Sequence, residues 1–167
     1  MRLGLHGQVR RVWAPRGIKV RQRRQIEYRW AYLAIAVDPI QGQLRWAWLV
    51  NMRKESLAPV LASWGQEGIE AVVWDSAGSH KANLVRAVGV PLVYLPPYSP
   101  ELNPAERVIE AVRAQVEGRV WASLEDKCQR AETFLRELAA EPQRVLSLAG
   151  WDWIQSACQL LPNNIGH

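Results

Sequence analysis

Asp75 and Glu106 are the residues of this chain whose types and spacing could do chemistry. The segment from Val72 to Arg113, VVWDSAGSHKANLVRAVGVPLVYLPPYSPELNPAERVIEAVR, puts Asp75 at the end of a short apolar run and Glu106 at the start of an amphipathic pattern. Two divalent ions held roughly 3.5 to 4 Å apart for phosphoryl transfer need carboxylates from different elements, one ion serving the attacking oxygen and the other the leaving oxygen. Such a site wants at least three acids, so these two require a further one. Each also has a plainer reading. Asp75 suits a cap on the following SAGS turn, and Glu106, three residues after Asn103, suits a capping box at a helix start. Glu110, one helical turn on and on the same face, is the rival of Glu106. His80 is placed either to bond a phosphate or orient Asp75, or to sit as a satisfied histidine at a helix start.

The elements that must position these residues follow from pattern. Ala71 to Trp74 is too short for a helix and too apolar for a half-exposed strand, which predicts a buried parallel strand; Pro91 to Leu95 is a second such run. A helical stretch from about His80 to Val88 separates them, so the unit reads βαβ. Pro96, Pro97, Pro100 and Pro104 exclude helix and central strand from the next stretch and make it a stiff spacer. Asn103 then reads as N-cap, Pro104 as N1 and Glu106 as N3 of a helix buried through Ala105, Val108, Ile109, Val112 and Val116.

Upstream, RWAYLAIAV and LRWAWLV flank DPIQGQ and predict a hairpin, and Lys54 to Gln66 has the apolar spacing of an amphipathic helix. Residues 1 to 29 lack periodicity and read as a loop or short hairpin. Residues 124 to 140 predict a helix through Leu124, Cys128, Ala131, Leu135 and Leu138, and LSLAGWDWIQSACQLL a last short helix packing Trp151 and Trp153 on the body. The resulting division is a basic segment over 1–29, a core over 30–140 and a helical tail over 141–167.

The 167 residues, 49% hydrophobic and 22% charged, have the composition of one globular domain rather than of a disordered chain. No apolar run is long enough to span a membrane and no secretory signal follows Met1, which points to the cytoplasm. Cys128 and Cys158 are too few and too far apart for a disulfide framework or zinc site. Charge is uneven: nine bases against Glu27 up to Arg29 give a net of +8, whereas twelve bases and fifteen acids leave −3 over residues 30 to 167. Such a cationic arm is either a solvated basic loop or a phosphate-binding surface, with Arg10, Arg11, Arg16, Lys19, Arg21, Arg23 and Arg24 as candidate DNA contacts. Trp13 among these arginines could stack on an unpaired base or anchor a core.

The full string is more specific than its parts. WDSAGSHKA followed by YLPPYSPELNPAERV resembles the catalytic core of mariner-like insertion-sequence transposases of the DDE superfamily, whose motif is an Asp after a hydrophobic strand, a His, then PPYSPxLNPxE opening a helix. VWAPRG (12–17) and YLAIAVDPIQG (32–42) extend the resemblance, which runs from residue 3 to about 140. It implies an RNase H-like α/β fold, a mixed five-stranded sheet flanked by helices, with two Mg²⁺ or Mn²⁺ ions. Water, and later a DNA 3′-OH, would attack a phosphodiester at the ends of an insertion sequence. By the same resemblance Asp75 bridges the ions and Glu106 is the third acid, His80 and Asn103 support them, and Lys81 joins the DNA contacts. Ser76 stands where many relatives have Asn.

One departure matters. In the family the first catalytic Asp lies on the central strand, in an Asp-Glu pair just before the segment that RLGLHGQVRRVWAPRG resembles, and here that segment begins at Met1. The resemblance therefore implies a sheet lacking its first strand, with that Asp upstream of Met1 and the family's N-terminal helix-turn-helix absent. Asp38, in the DPIQG turn, and Glu27, in the arm, are the acids weighed for its place. The expectation is the C-terminal part of a transposase catalytic domain, inactive alone and completed by an upstream segment or a homodimer. The alternative is a non-catalytic DNA-binding product that dimerises with the full enzyme and modulates it.

Overall fold

A computed structural model of the chain describes residues 1–7, 13–21, 23–75 and 83–159. Three strands, β1 (Arg2–Gly4), β2 (Trp30–Val37) and β3 (Leu44–Leu49), form an antiparallel sheet in the order β1-β2-β3. The predicted hairpin is β2 and β3, in register from Tyr32↔Leu49 to Val37↔Leu44. Its turn is held by Asp38, whose Oδ1 accepts from the Ile40 and Gln41 backbone N–H groups at 2.8 and 3.0 Å, and by Gly42 at φ 70°, a conformation that favours glycine. Helix α1 (Lys54–Gln66) follows, buried through Leu57, Ala58, Leu61 and Trp64.

The βαβ unit is present as β4 (Val72–Trp74), α2 (Asn83–Arg86) and β5 (Leu92–Tyr94), with β4 and β5 parallel and Trp74 opposite Tyr94. Among the described residues no backbone ladder joins this pair to the antiparallel sheet. A 3-10 turn at Pro100–Leu102 leads into α3 (Pro104–Val116), followed by α4 (Leu124–Ala139), α5 (Pro142–Ala149) and α6 (Asp152–Gln159). One apolar cluster joins Leu33 of β2 to Val108, Val112 and Val116 of α3 and Leu135 and Leu138 of α4; a second packs Leu61 and Trp64 of α1 with Val85 of α2.

Three expectations need correction. Within the stretch read as a loop or hairpin, Arg2–Gly4 forms a short strand because its backbone ladder with β2 is continued by the Leu33 N–H donating to the Met1 carbonyl at 2.9 Å. The tail forms two helices because the chain turns at Gly150, and it buries Val145, Ala149 and Ile154 while Trp151 and Trp153 remain 39% and 44% exposed. On α4 the buried stripe runs through Lys127 and Phe134 rather than Cys128, which is half-buried. Lys127, only 6% exposed, is stabilised in place by donating from Nζ to the Gly4 carbonyl at 2.6 Å. Burial pulls its pKa below the ordinary lysine value, against the opposing charge of Glu117.

Candidate active site

Asp75 leaves the carboxyl end of β4 and is exposed. The ladder runs one step beyond the register pair, the Leu95 N–H donating to the Trp74 carbonyl at 2.7 Å, so the proline-rich spacer starts at the same sheet end as Asp75. That end is where ligands collect in open α/β sheets. The spacer delivers the chain to Asn103, whose side chain caps α3 by accepting from the Ala105 N–H at 3.1 Å. The second half of a capping box does not form, because the Asn103 N–H that Glu106 would accept from donates instead to the Pro100 carbonyl at 3.0 Å. Asn103 thus acts at the helix start, and Glu106, half-buried on the first turn of α3, keeps its carboxylate out of the cap.

The charges of Glu106 and Asp75 both act on the α-amino group of Met1. Burial pulls its pKa below the ordinary value, Glu106 opposes that shift, Arg113 adds to it and Asp75 opposes it. The Met1 ammonium also donates to the Leu33 carbonyl, so it is fixed at the start of β1 beside β2. Arg113 was not among the expected site residues, although its place two turns after Glu106 on the same stripe is visible in the spacing; it pairs with Glu117 at 4.0 Å. Glu110 points its carboxylate at Arg107, 3.1 Å away in an exposed pair.

The other acids weighed for a third ligand are occupied. Asp38 holds its hairpin turn, and Glu27 lies in the arm 3.8 Å from Arg29. Among the described residues no group of three or more His, Cys, Asp or Glu side chains could hold a metal ion. The described donor set, two carboxylates with an ammonium beside them, therefore does not by itself make a two-ion centre, and no reaction step is derived through one.

Of the basic candidates, Arg16, Lys19, Arg21 and Arg23 are exposed and make no hydrogen bond or ion pair among the described residues, whereas Arg24 is bonded to the Gly7 carbonyl at 3.2 Å and to His6 at 3.0 Å. Trp13, far from anchoring a core, is fully exposed. Arg10, Arg11, His80 and Lys81 lie outside the described residues.

The family described as DDE superfamily endonuclease matches residues 1–128. The chain belongs to that family. An uncharacterized protein, y4pE/y4sA of Sinorhizobium fredii (strain NBRC 101917 / NGR234), is 29% identical over 130 residues, covering 74% of this chain and 96% of that protein. Among solved structures, the DDE-family chain is similar to the Mos1 transposase paired-end complex with left transposon end, at 14% identity and a TM-score of 0.56. It is likewise similar to the Mos1 strand transfer complex, at 15% identity and a TM-score of 0.57. Both matches cover 90% of this chain and 53% of the other, so the chain spans about half the length of those structures. At such identity the likeness shows the fold, which is RNase H-like as the sequence implied. No helix among the described residues is long and apolar enough to cross a membrane.

Proposed function

We propose that this DDE-family chain works on DNA as part of a transposase catalytic core, in which Asp75 and Glu106 are two of the carboxylates of a divalent-metal centre for phosphodiester cleavage and strand transfer. The observation that carries the reading is the placement of Asp75 at the carboxyl end of β4, level with the start of the spacer that leads to Glu106, with Glu106 left out of the helix cap. The Mos1 structures supply the analogy: their names say transposase paired-end complex with left transposon end and strand transfer complex. Mg²⁺ or Mn²⁺, when bound, would lower the pKa of an attacking water and stabilise the leaving oxygen. Asp75 and Glu106 are two acids of a centre that wants at least three, so we expect the chain to be inactive alone and to need a third carboxylate from the assembly it joins.

The arm supports DNA as the partner, because Arg16, Lys19, Arg21 and Arg23 present charge that no acid of the protein neutralises among the described residues. The same observation favours a second reading, a DNA-binding or dimerising product without catalysis of its own. Titration of Mn²⁺ into wild type, Asp75→Ala and Glu106→Ala, alongside nicking of DNA carrying insertion-sequence ends, separates these. Loss of Mn²⁺ affinity in both variants supports the metal reading. Unchanged affinity in both reduces Asp75 to a turn cap and Glu106 to a surface acid, and metal-dependent nicking by the 167 residues alone overturns the expected inactivity.

A further inference from the structure

Tyr98 is 99% exposed, and its φ is 59°. Among the described residues it is the non-glycine residue with positive φ. A bulky side chain in the left-handed region is a genuine outlier, costing energy that glycine or asparagine would avoid. Here that cost brings no packing in return, since the ring touches little of the protein and its hydroxyl makes no hydrogen bond among the described residues. A turn needed only to join β5 to α3 would be served by glycine. Strain at an exposed residue, with no structural gain, is the kind of outlier from which a functional role is inferred.

The position of Tyr98 says what that role is. The ladder between Trp74 and Leu95 starts the spacer level with Asp75, and the Pro100–Leu102 turn then leads to Glu106. Tyr98 stands between these points, flanked by Pro97 and by Ser99, whose Oγ donates to the Pro97 carbonyl at 3.3 Å. The prolines stiffen the backbone, so the exposed ring stands on a rigid mount in the segment that joins the sheet end at Asp75 to the helix of Glu106. A DNA strand that follows this segment from Asp75 toward Glu106 would meet this ring.

We infer that Tyr98 is a stacking post for an unpaired nucleobase flanking the phosphate at the acids. The inference rests on the DNA reading of the site, including a divalent cation that lets a phosphate lie against the two carboxylates, but not on catalysis. Every base has a π-face, so the contact is tolerant of sequence and selective for unpaired over paired DNA. The hydroxyl is dispensable to it, the ring is not.

The test uses the 167-residue chain with Ca²⁺, which bridges phosphate to carboxylate, at one fixed salt concentration. Its probes are a duplex oligonucleotide with a single-stranded flank carrying 2-aminopurine and the same oligonucleotide fully paired. Wild type and Tyr98→Phe are expected to quench the 2-aminopurine equally and to bind the flanked probe within about twofold of each other. Tyr98→Gly is expected to lose the quench and about tenfold in affinity for the flanked probe, with fully paired DNA bound as before and no loss of thermal stability. Equal binding of the flanked probe by wild type and Tyr98→Gly overturns the stacking role while leaving the DNA reading intact. A Tyr98→Gly variant that keeps the quench but changes sedimentation behaviour also overturns it, assigning the ring to a protein contact. No binding of either probe by wild type sinks both readings.

Discussion

Glu132 and Glu106 are two half-buried glutamates of one chain, held by helices that pack on each other, and they have opposite surroundings. Glu132, on α4, accepts from the indole N–H groups of Trp46 and Trp48 at 2.8 and 2.9 Å and from Arg136 Nε at 2.9 Å. Burial pushes its pKa up, but the hydrogen bonds from Trp48, Trp46 and Arg136 outweigh that and hold it below the ordinary value. Glu106, on α3, makes no side-chain hydrogen bond among the described residues, and its charge is one of those that act on the Met1 ammonium. One carboxylate is spent on clamping β3 to α4. The other is kept available, and availability in a folded interior is what a ligand-binding acid needs.

The sharpest way to break that contrast is to remove the candidate site carboxylates. Asp75→Ala and Glu106→Ala should each abolish metal-dependent DNA cleavage in whatever assembly supplies the third acid, while Glu106→Gln changes the unfolding free energy measured in urea by no more than about 0.5 kcal/mol, as for a substitution away from structural contacts. A large loss of stability in Glu106→Gln would make Glu106 a structural residue like Glu132. The converse should hold for Glu132→Ala, which strands two indole donors and should cost about 2 kcal/mol in urea unfolding without altering Mn²⁺ affinity.

Acid titration sharpens the same point. The folded pKa of Glu132 lies below its ordinary value of 4.5, so its contribution is present above that value and is lost as pH falls through the lower folded pKa. The stability difference between wild type and Glu132→Gln should therefore be full above pH 4.5 and shrink as the pH drops further. A difference that grows on acidification would contradict the hydrogen-bonded carboxylate. The smallest effect is expected from Glu110→Ala, which removes an exposed pair with Arg107 and should change stability by only about 0.5 kcal/mol. It should leave cleavage intact, and a loss of cleavage as large as that of Glu106→Ala would transfer the role of third acid to Glu110.

What the sequence made legible was local. Asn103, Pro104 and Glu106 announce a helix start through capping chemistry that operates within four residues, and α3 begins there. The hairpin and the βαβ unit were equally readable, because period and turn residues decide them over short windows. The features that escaped are contacts between distant residues. Lys127 is buried because the Gly4 carbonyl, 123 residues earlier, receives its ammonium, and Glu132 finds its indoles 84 and 86 residues away. No pattern within a helix marks either one. The tail was misread for a local reason: its apolar residues were assigned to one helix, although Gly150 stood among them as a breaker. At the site, the two acids could be picked out singly, but the ammonium they share follows from β1 pairing with β2, which a three-residue strand does not advertise.

The basic arm is pinned at both feet. Leu5 N–H donates to the Arg29 carbonyl at 3.1 Å and Gly7 N–H to the Gln25 carbonyl at 2.8 Å, while Gln25 exchanges two hydrogen bonds with Trp121 and Arg29 pairs with Glu125 at 2.8 Å. The arm is consequently a closed loop on a leash, and residues midway along it, such as Arg16, can stand no more than about 30 Å from the anchors at full extension. Its cations are held within a bounded volume, which keeps their local concentration high for any strand lying within that radius. Cutting the loop between its feet would leave every charge in the chain and both anchors in place, yet release that confinement.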